Sequence, residues 1–145
     1  MEKFVSVTNP KDIENLKLQI SNSRIIDWAP DFNKNAGITY NRLAYILDYW
    51  KNKFSWEKSE KELNSFNQFY FFDEGIKTHF LHIKSPKKNA FPLLLIHGWP
   101  GSIFEFFDLI PLLTNPNDNN LLGCQPFDIV IPVSYTHLTL PTSVT

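Results

Sequence analysis

His97-Gly98-Trp99-Pro100 is the stretch whose residue types and spacing best suit chemistry. It follows the apolar run Phe91 to Ile96 and precedes a segment opening at Ser102. Glycine permits a tight backbone path, and proline fixes φ and carries no N–H. The Trp99 backbone N–H can therefore point into a crevice and stabilise negative charge developing on an oxygen, where one donor is worth about 3–4 kcal/mol. The same residues also suit a plain strand-to-helix turn with a packed His97. Other candidates carry less. His79-x-x-His82 has metal-ligand residue types, but on a strand these side chains point to opposite faces. Cys124 has no His or Asp beside it and is read as an unreactive thiol. Asp73-Glu74 next to Gly75 is turn chemistry, and Trp28, Trp50 and Trp56 are read as packing anchors.

Periodicity indicates the elements that position this turn. Phe4, Val5 and Val7 suit a short extended segment. Asn9 and Pro10 open a helix with Ile13, Leu16 and Ile20 on one stripe, ending near Ser23. Arg24 to Gly37 is expected to be a long loop, with Ile25, Ile26, Trp28 and Phe32 packing locally. Thr39 caps a second helix whose stripe is Leu43, Ile46, Leu47 and Trp50, and a third runs from about Ser55 to Asn64. The period then changes to two. Phe69 to Asp73 and Ile76 to Ile83 flank Glu74-Gly75 as a hairpin. Phe91 to Ile96 predicts a parallel strand buried on both faces. Ser102 and Glu105 have capping-box spacing, so a helix is expected from Ser102 with Phe106, Leu109, Ile110 and Leu113 inward and Pro111 disturbing its last turn. Asn115 to Asn120 is a polar loop and Phe127 to Ile131 a second buried strand, completing a βαβ unit. The fold class is therefore α/β, with a helical N-terminal arm before a sheet of one hairpin and two parallel strands.

The 145 residues are 43% hydrophobic and 15% aromatic, enough for a packed core. Fourteen Lys and Arg against 15 Asp and Glu leave a net charge of −1, so neither nucleic acid nor an anionic membrane is an expected partner. A single cysteine excludes an intramolecular disulfide and a multi-Cys zinc site. Met1-Glu2-Lys3-Phe4 lacks the pattern of a signal peptide, and Phe91 to Ile96 is too short to span a bilayer, which makes a cytoplasmic setting the expectation.

The last thirteen residues differ from the rest. Val133 to Thr145 has no charged residue and holds four of the eight threonines. The string Val133-Ser134-Tyr135-Thr136-His137-Leu138-Thr139-Leu140-Pro141-Thr142 resembles the translation of a transposon adapter used in sequencing libraries. The reading frame is therefore expected to leave its native gene at about Pro132.

Up to residue 132 the chain resembles the N-terminal portion of the α/β-hydrolase-fold epoxide hydrolases of the microsomal and juvenile-hormone type. The resemblance runs through Tyr49-Trp50, Phe54-Ser55-Trp56, Glu62-Leu63-Asn64-Ser65-Phe66 and Gly75 to His82. It continues through Pro92 to Ser102, Glu105-Phe106 and Phe127 to Pro132, with the block ending at Ser102 the most specific. The resemblance implies a helical epoxide-hydrolase N-terminal region at 1–68 and a partial α/β-hydrolase core at 69–132, and the adapter-like string marks 133–145 as a non-native tail. It implies that His97 to Pro100 form the oxyanion-hole turn, with Trp99 giving the N–H and His97, Gly98 and Pro100 supporting it. In the family's reaction an aspartate opens a small-molecule epoxide to give an ester, lid tyrosines assist, and a His with an acidic partner activates water to release the diol. No cofactor and no metal are implied, and the oligomeric state is unknown.

The chain departs from the pattern in lacking a Gly-x-Asp-x-Gly-type elbow. His79, His82 and His97 match non-catalytic positions, and His137 and Tyr135 fall in the tail. The expectation is an N-terminal piece of an epoxide hydrolase, itself inactive because nucleophile, base and acid are missing. The alternative is a non-catalytic interaction module derived from the same fold; an esterase or dehalogenase is disfavoured by the helical arm. Uncovered apolar surface is expected near Leu93, Leu95, Ile129 and Ile131, where neighbouring strands would be absent.

Overall fold

The computed structural model describes residues 1–26 and 37–133. Trp28, Pro30 and Phe32 of the expected long loop, and the tail from Ser134 onward with Tyr135 and His137, lie outside the described residues. The chain divides into two compact units: Val7–Lys61, and residues 1–6 together with the chain from Glu62 onward. Among the described residues no helix is long and apolar enough to cross a membrane.

Local capping chemistry sets the helices of the first unit. Helix α1 (Pro10–Asn22) begins where Asn9 Oδ1 accepts the Lys11 N–H at 3.0 Å. Pro10 occupies the first helical position, where a missing N–H leaves no bond unmade. Helix α2 (Tyr40–Asn52) begins where Thr39 Oγ1 accepts the Arg42 N–H at 3.3 Å. Helix α3 (Trp56–Leu63) follows Ser55, whose Oγ accepts the Lys58 N–H at 3.3 Å. Neither α1 nor α2 holds a buried residue. Ile13, Leu16 and Ile20 of α1 face Trp50, Phe54 and Trp56 across a groove of about 620 Å³. Trp56 anchors one end of it, donating from Nε1 to Thr8 Oγ1, and the Thr8 hydroxyl donates to Glu60 at 2.7 Å.

The second unit is a five-stranded sheet in the order β1-β2-β3-β5-β4. Its strands are β1 (Glu2–Phe4), β2 (Gln68–Asp73), β3 (Ile76–Ile83), β4 (Phe91–Leu94) and β5 (Phe127–Pro132). The β2–β3 hairpin closes through Glu74 and Gly75 at φ 46° and 82°, the positive values that a two-residue primed turn requires. β5 is antiparallel to β3 and parallel to β4, so the chain passes over the sheet between β4 and β5. The register puts Leu81, Ile83, Leu93, Ile129 and Ile131 on one face. Leu81, Ile129 and Ile131 are fully buried there in one cluster with Leu63, Ile103, Phe107 and Ile110.

Three expectations are corrected. Ile129 and Ile131 are covered rather than exposed, because β5 lies inside the sheet and its face meets the Ile103–Ile110 layer. Leu93 and Leu95 are half-buried. The open apolar surface is instead on edge strand β4 and just beyond it, at Phe91, Leu94 and Ile96, so this strand is not buried on both faces. The single helix expected from Ser102 is a 3₁₀ turn at Ile103–Phe106 followed by a short α4 (Leu109–Thr114). Pro111 explains the break: in a continuous helix its ring would clash with the Phe107 carbonyl, whereas within the first turn of α4 its missing N–H is harmless. Pro116–Asn119 forms one further 3₁₀ turn within the expected polar loop.

A polar relay joins β1 to the hairpin. Asn64 Oδ1 accepts the Ser6 N–H at 2.9 Å, and its Nδ2 donates to the Ser6 carbonyl at 2.8 Å. Fully buried Gln68 donates from Nε2 to Asn64 Oδ1 at 2.8 Å, which leaves its Oε1 to accept from His79 Nε2 at 3.0 Å. Burial lowers the His79 pKa below its ordinary value of 6.5. The unfolded chain therefore binds the proton more readily, so this contribution to stability is complete above the ordinary value and is lost as pH falls from there through the lowered folded value. Thermal melts from about pH 7.5 to about pH 5 are expected to show a falling midpoint that His79→Gln flattens.

Candidate functional site

The ladder ends one residue past β4, where the Leu95 N–H donates to the Val130 carbonyl at 3.0 Å. The chain then leaves the sheet through His97 to Gly101 beside the parallel neighbour β5, at the carboxyl end of the strand, where open α/β sheets place ligands. His97 is buried, while the Trp99 side chain is 84% exposed. Packing of the indole therefore does not hold the turn; hydrogen bonds do.

Two donors converge on the Gly98 carbonyl. The Gly101 N–H reaches it at 2.7 Å, and His97 Nδ1 at 3.1 Å. A carbonyl only accepts, so Nδ1 carries the proton in this contact. The Gly98–Trp99 peptide is trans, since the cis bond of this turn is Trp99–Pro100. In a planar trans peptide the N–H points opposite to the C=O. Fixing the Gly98 oxygen from two sides therefore aims the Trp99 N–H away from both donors. Among the described residues that N–H has no hydrogen-bond partner.

Ser102 closes the turn. Its Oγ accepts the Phe104 N–H at 3.5 Å, and its own N–H donates to Glu105 Oε1 at 3.1 Å, which completes the expected capping box. The steric need for glycine lies at Gly101 rather than at Gly98. A Cβ on Gly98 would meet open space, while one on Gly101 would strike the Glu105 carboxylate and lie 2.7 Å from the Gly98 oxygen. Sequence reading located Ser102 and Glu105 as a cap but missed Gly101. The available signal was a glycine directly before a capping serine.

The remaining candidates are dispersed. His79 is engaged with Gln68, and the Phe4 ring stands edge-on to it at 4.8 Å. His82 lies on the opposite face of β3, near Phe69 at 6.3 Å. Asp73 and Glu74 occupy the exposed hairpin tip, and Cys124 is exposed just after Gly123, which has φ 79°. The structure thus brings together His97, Gly98, Trp99 and Pro100, with Gly101, Ser102 and Glu105 added.

Comparison with known proteins identifies the family. A family model described as epoxide hydrolase N terminus matches residues 1–106. Epoxide hydrolase 1 of Sus scrofa is 36% identical over 133 residues, covering 89% of this chain and 29% of that protein. The solved epoxide hydrolase of Aspergillus niger superposes with a TM-score of 0.75 at 30% identity, covering 91% of this chain and 34% of that one. The juvenile hormone epoxide hydrolase of Bombyx mori gives a TM-score of 0.77 at 27% identity, covering 91% and 31%. The chain thus spans about a third or less of the length of these relatives. The family match over residues 1–106 covers more than half of the 145 residues: the chain belongs to the epoxide hydrolase family, matching it through the N-terminal region.

Proposed function

We propose that residues 1–132 are the N-terminal part of a longer epoxide hydrolase and that they supply one oxyanion-binding donor, the Trp99 N–H. The observation that carries this reading is the Gly98–Trp99 peptide, whose oxygen is fixed from two sides while its N–H has no partner among the described residues. In the reaction a carboxylate opens a small-molecule epoxide at carbon, forming an ester and an alkoxide that takes up a proton. Water then adds to the ester carbonyl, and the negative charge that builds on its oxygen is where a fixed N–H acts. Collapse releases the diol and restores the carboxylate.

The nucleophile, the lid tyrosines and the histidine that activates water belong, in this proposal, to sequence beyond Pro132. Trp99 alone cannot form the ester, so the 145-residue chain is inactive. The test is to extend the reading frame at the genomic locus past the codon for Pro132, express both proteins and assay diol formation from styrene oxide. The extended protein is expected to form the diol and the 145-residue chain to form none above the uncatalysed background. An extended protein without an aspartate elbow and without diol formation would refute the proposal.

A further inference from the structure

We propose that Glu105 is a positioning residue for the oxyanion-binding amide, acting on the Trp99 N–H through Gly101 and Gly98. The inference rests on the hydrolytic reading above and adds a residue to it. Each link is a fixed contact. Glu105 Oε1 accepts the Ser102 N–H at 3.1 Å, which ties the carboxylate to the start of the 3₁₀ turn. The same carboxylate fills the space beside the Gly101 Cα where a side chain would otherwise begin. The Gly101 N–H, 2.7 Å from the Gly98 oxygen, then holds one end of the peptide whose other end is the Trp99 N–H. His97 holds that oxygen from a second direction, so Glu105 and His97 fix one peptide plane from opposite sides of the turn in sequence.

The role of Glu105 is one of hydrogen-bond acceptance, not of charge. A negative group near a developing oxyanion would work against it, so an uncharged acceptor of the same shape should serve as well. The kinetic signature is also specific. Ester formation precedes the step that needs the donor, so slowing ester hydrolysis lowers kcat and KM together and leaves kcat/KM unchanged. A purely structural loss of active protein lowers kcat with KM unchanged.

The experiment compares wild type, Glu105→Ala and Glu105→Gln in the extended protein with styrene oxide. It also measures amide exchange at Gly101 and Ser102 in the 145-residue chain. Glu105→Ala is expected to lower kcat about five- to tenfold with kcat/KM preserved, the size of effect that follows from losing a cap contact. The Gly101 and Ser102 amides of that variant should exchange faster, while Glu105→Gln restores both readouts to within about twofold of wild type. Wild-type kcat in Glu105→Ala, unchanged exchange at Gly101, or a Gln variant as impaired as the Ala variant would overturn the inference. Failure of the wild-type extended protein to form diol would instead overturn the hydrolytic reading, and the exchange measurement would still report on the contact chain.

Discussion

Replacing the Gly98–Trp99 amide by an ester in the extended protein is expected to lower kcat by about 10²–10³-fold. The substitution turns the Trp99 N–H into an oxygen, which cannot donate. It leaves the Gly98 carbonyl in place for its two donors, the Gly101 N–H and His97 Nδ1. An ester carbonyl is a weaker acceptor, so part of the effect is a looser turn; the melting temperature reads that part separately. The exposed Trp99 indole provides the control. Trp99→Phe keeps the amide and should stay close to wild type in turnover, because the donor is backbone and not side chain. Ordinary mutagenesis of Trp99 would therefore miss the function altogether.

Leu81→Ala is expected to destabilise the 145-residue chain by about 3 kcal/mol, within the range of 2–5 kcal/mol for buried Leu-to-Ala changes. Leu81 is fully buried in the second half of β3, between Gln68 on β2 and Ile131 on β5. Ile129, Ile131, Ile103, Phe107 and Ile110 belong to the same cluster, and backbone pairing on both sides of β3 limits collapse into the void. For a chain close to 150 residues each kcal/mol moves the melting midpoint by about 2–4 °C, so circular dichroism should show a fall of about 6–12 °C. Phe71→Ala is the comparison. Phe71 is half exposed on the opposite face of the sheet, and its loss should change stability by less than about 0.5 kcal/mol. Equal effects at the two positions would show that the core does not lie where the register puts it.

What the sequence made legible was what depends on near neighbours. Asn9 and Thr39 begin α1 and α2 because a cap needs a side-chain oxygen and an N–H two or three residues on. The hairpin was readable because Glu74-Gly75 accepts positive φ between two runs of period two. Features that depend on distant partners were not. β1 is three residues long and owes its place to β2, more than sixty positions away, with Asn64 holding Ser6 beside it. β5 is inserted between β3 and β4, which decided that Ile129 and Ile131 are covered and that Leu94 is not. The break before α4 follows from Pro111, expected in the last turn of one helix and found in the first turn of another.

The candidate site divides in the same way. His97 to Pro100 could be singled out from residue types alone, and Ser102 with Glu105 from spacing. The need for glycine at Gly101 could not, because it comes from the path of the Glu105 side chain and the Gly98 carbonyl in space. The direction of the Trp99 N–H was equally hidden, since it follows from two hydrogen bonds to the preceding carbonyl.

The most direct measurement is the intact mass of the extended protein, taken in the steady state with excess styrene oxide, for the wild type and for the Gly98–Trp99 backbone-ester variant. If the Trp99 N–H serves breakdown of the covalent ester, the variant will carry one epoxide mass on nearly every molecule while it turns over slowly. A variant that is slow yet carries no added mass would show that the amide acts before the ester forms or not at all, and would contradict the role assigned to this turn.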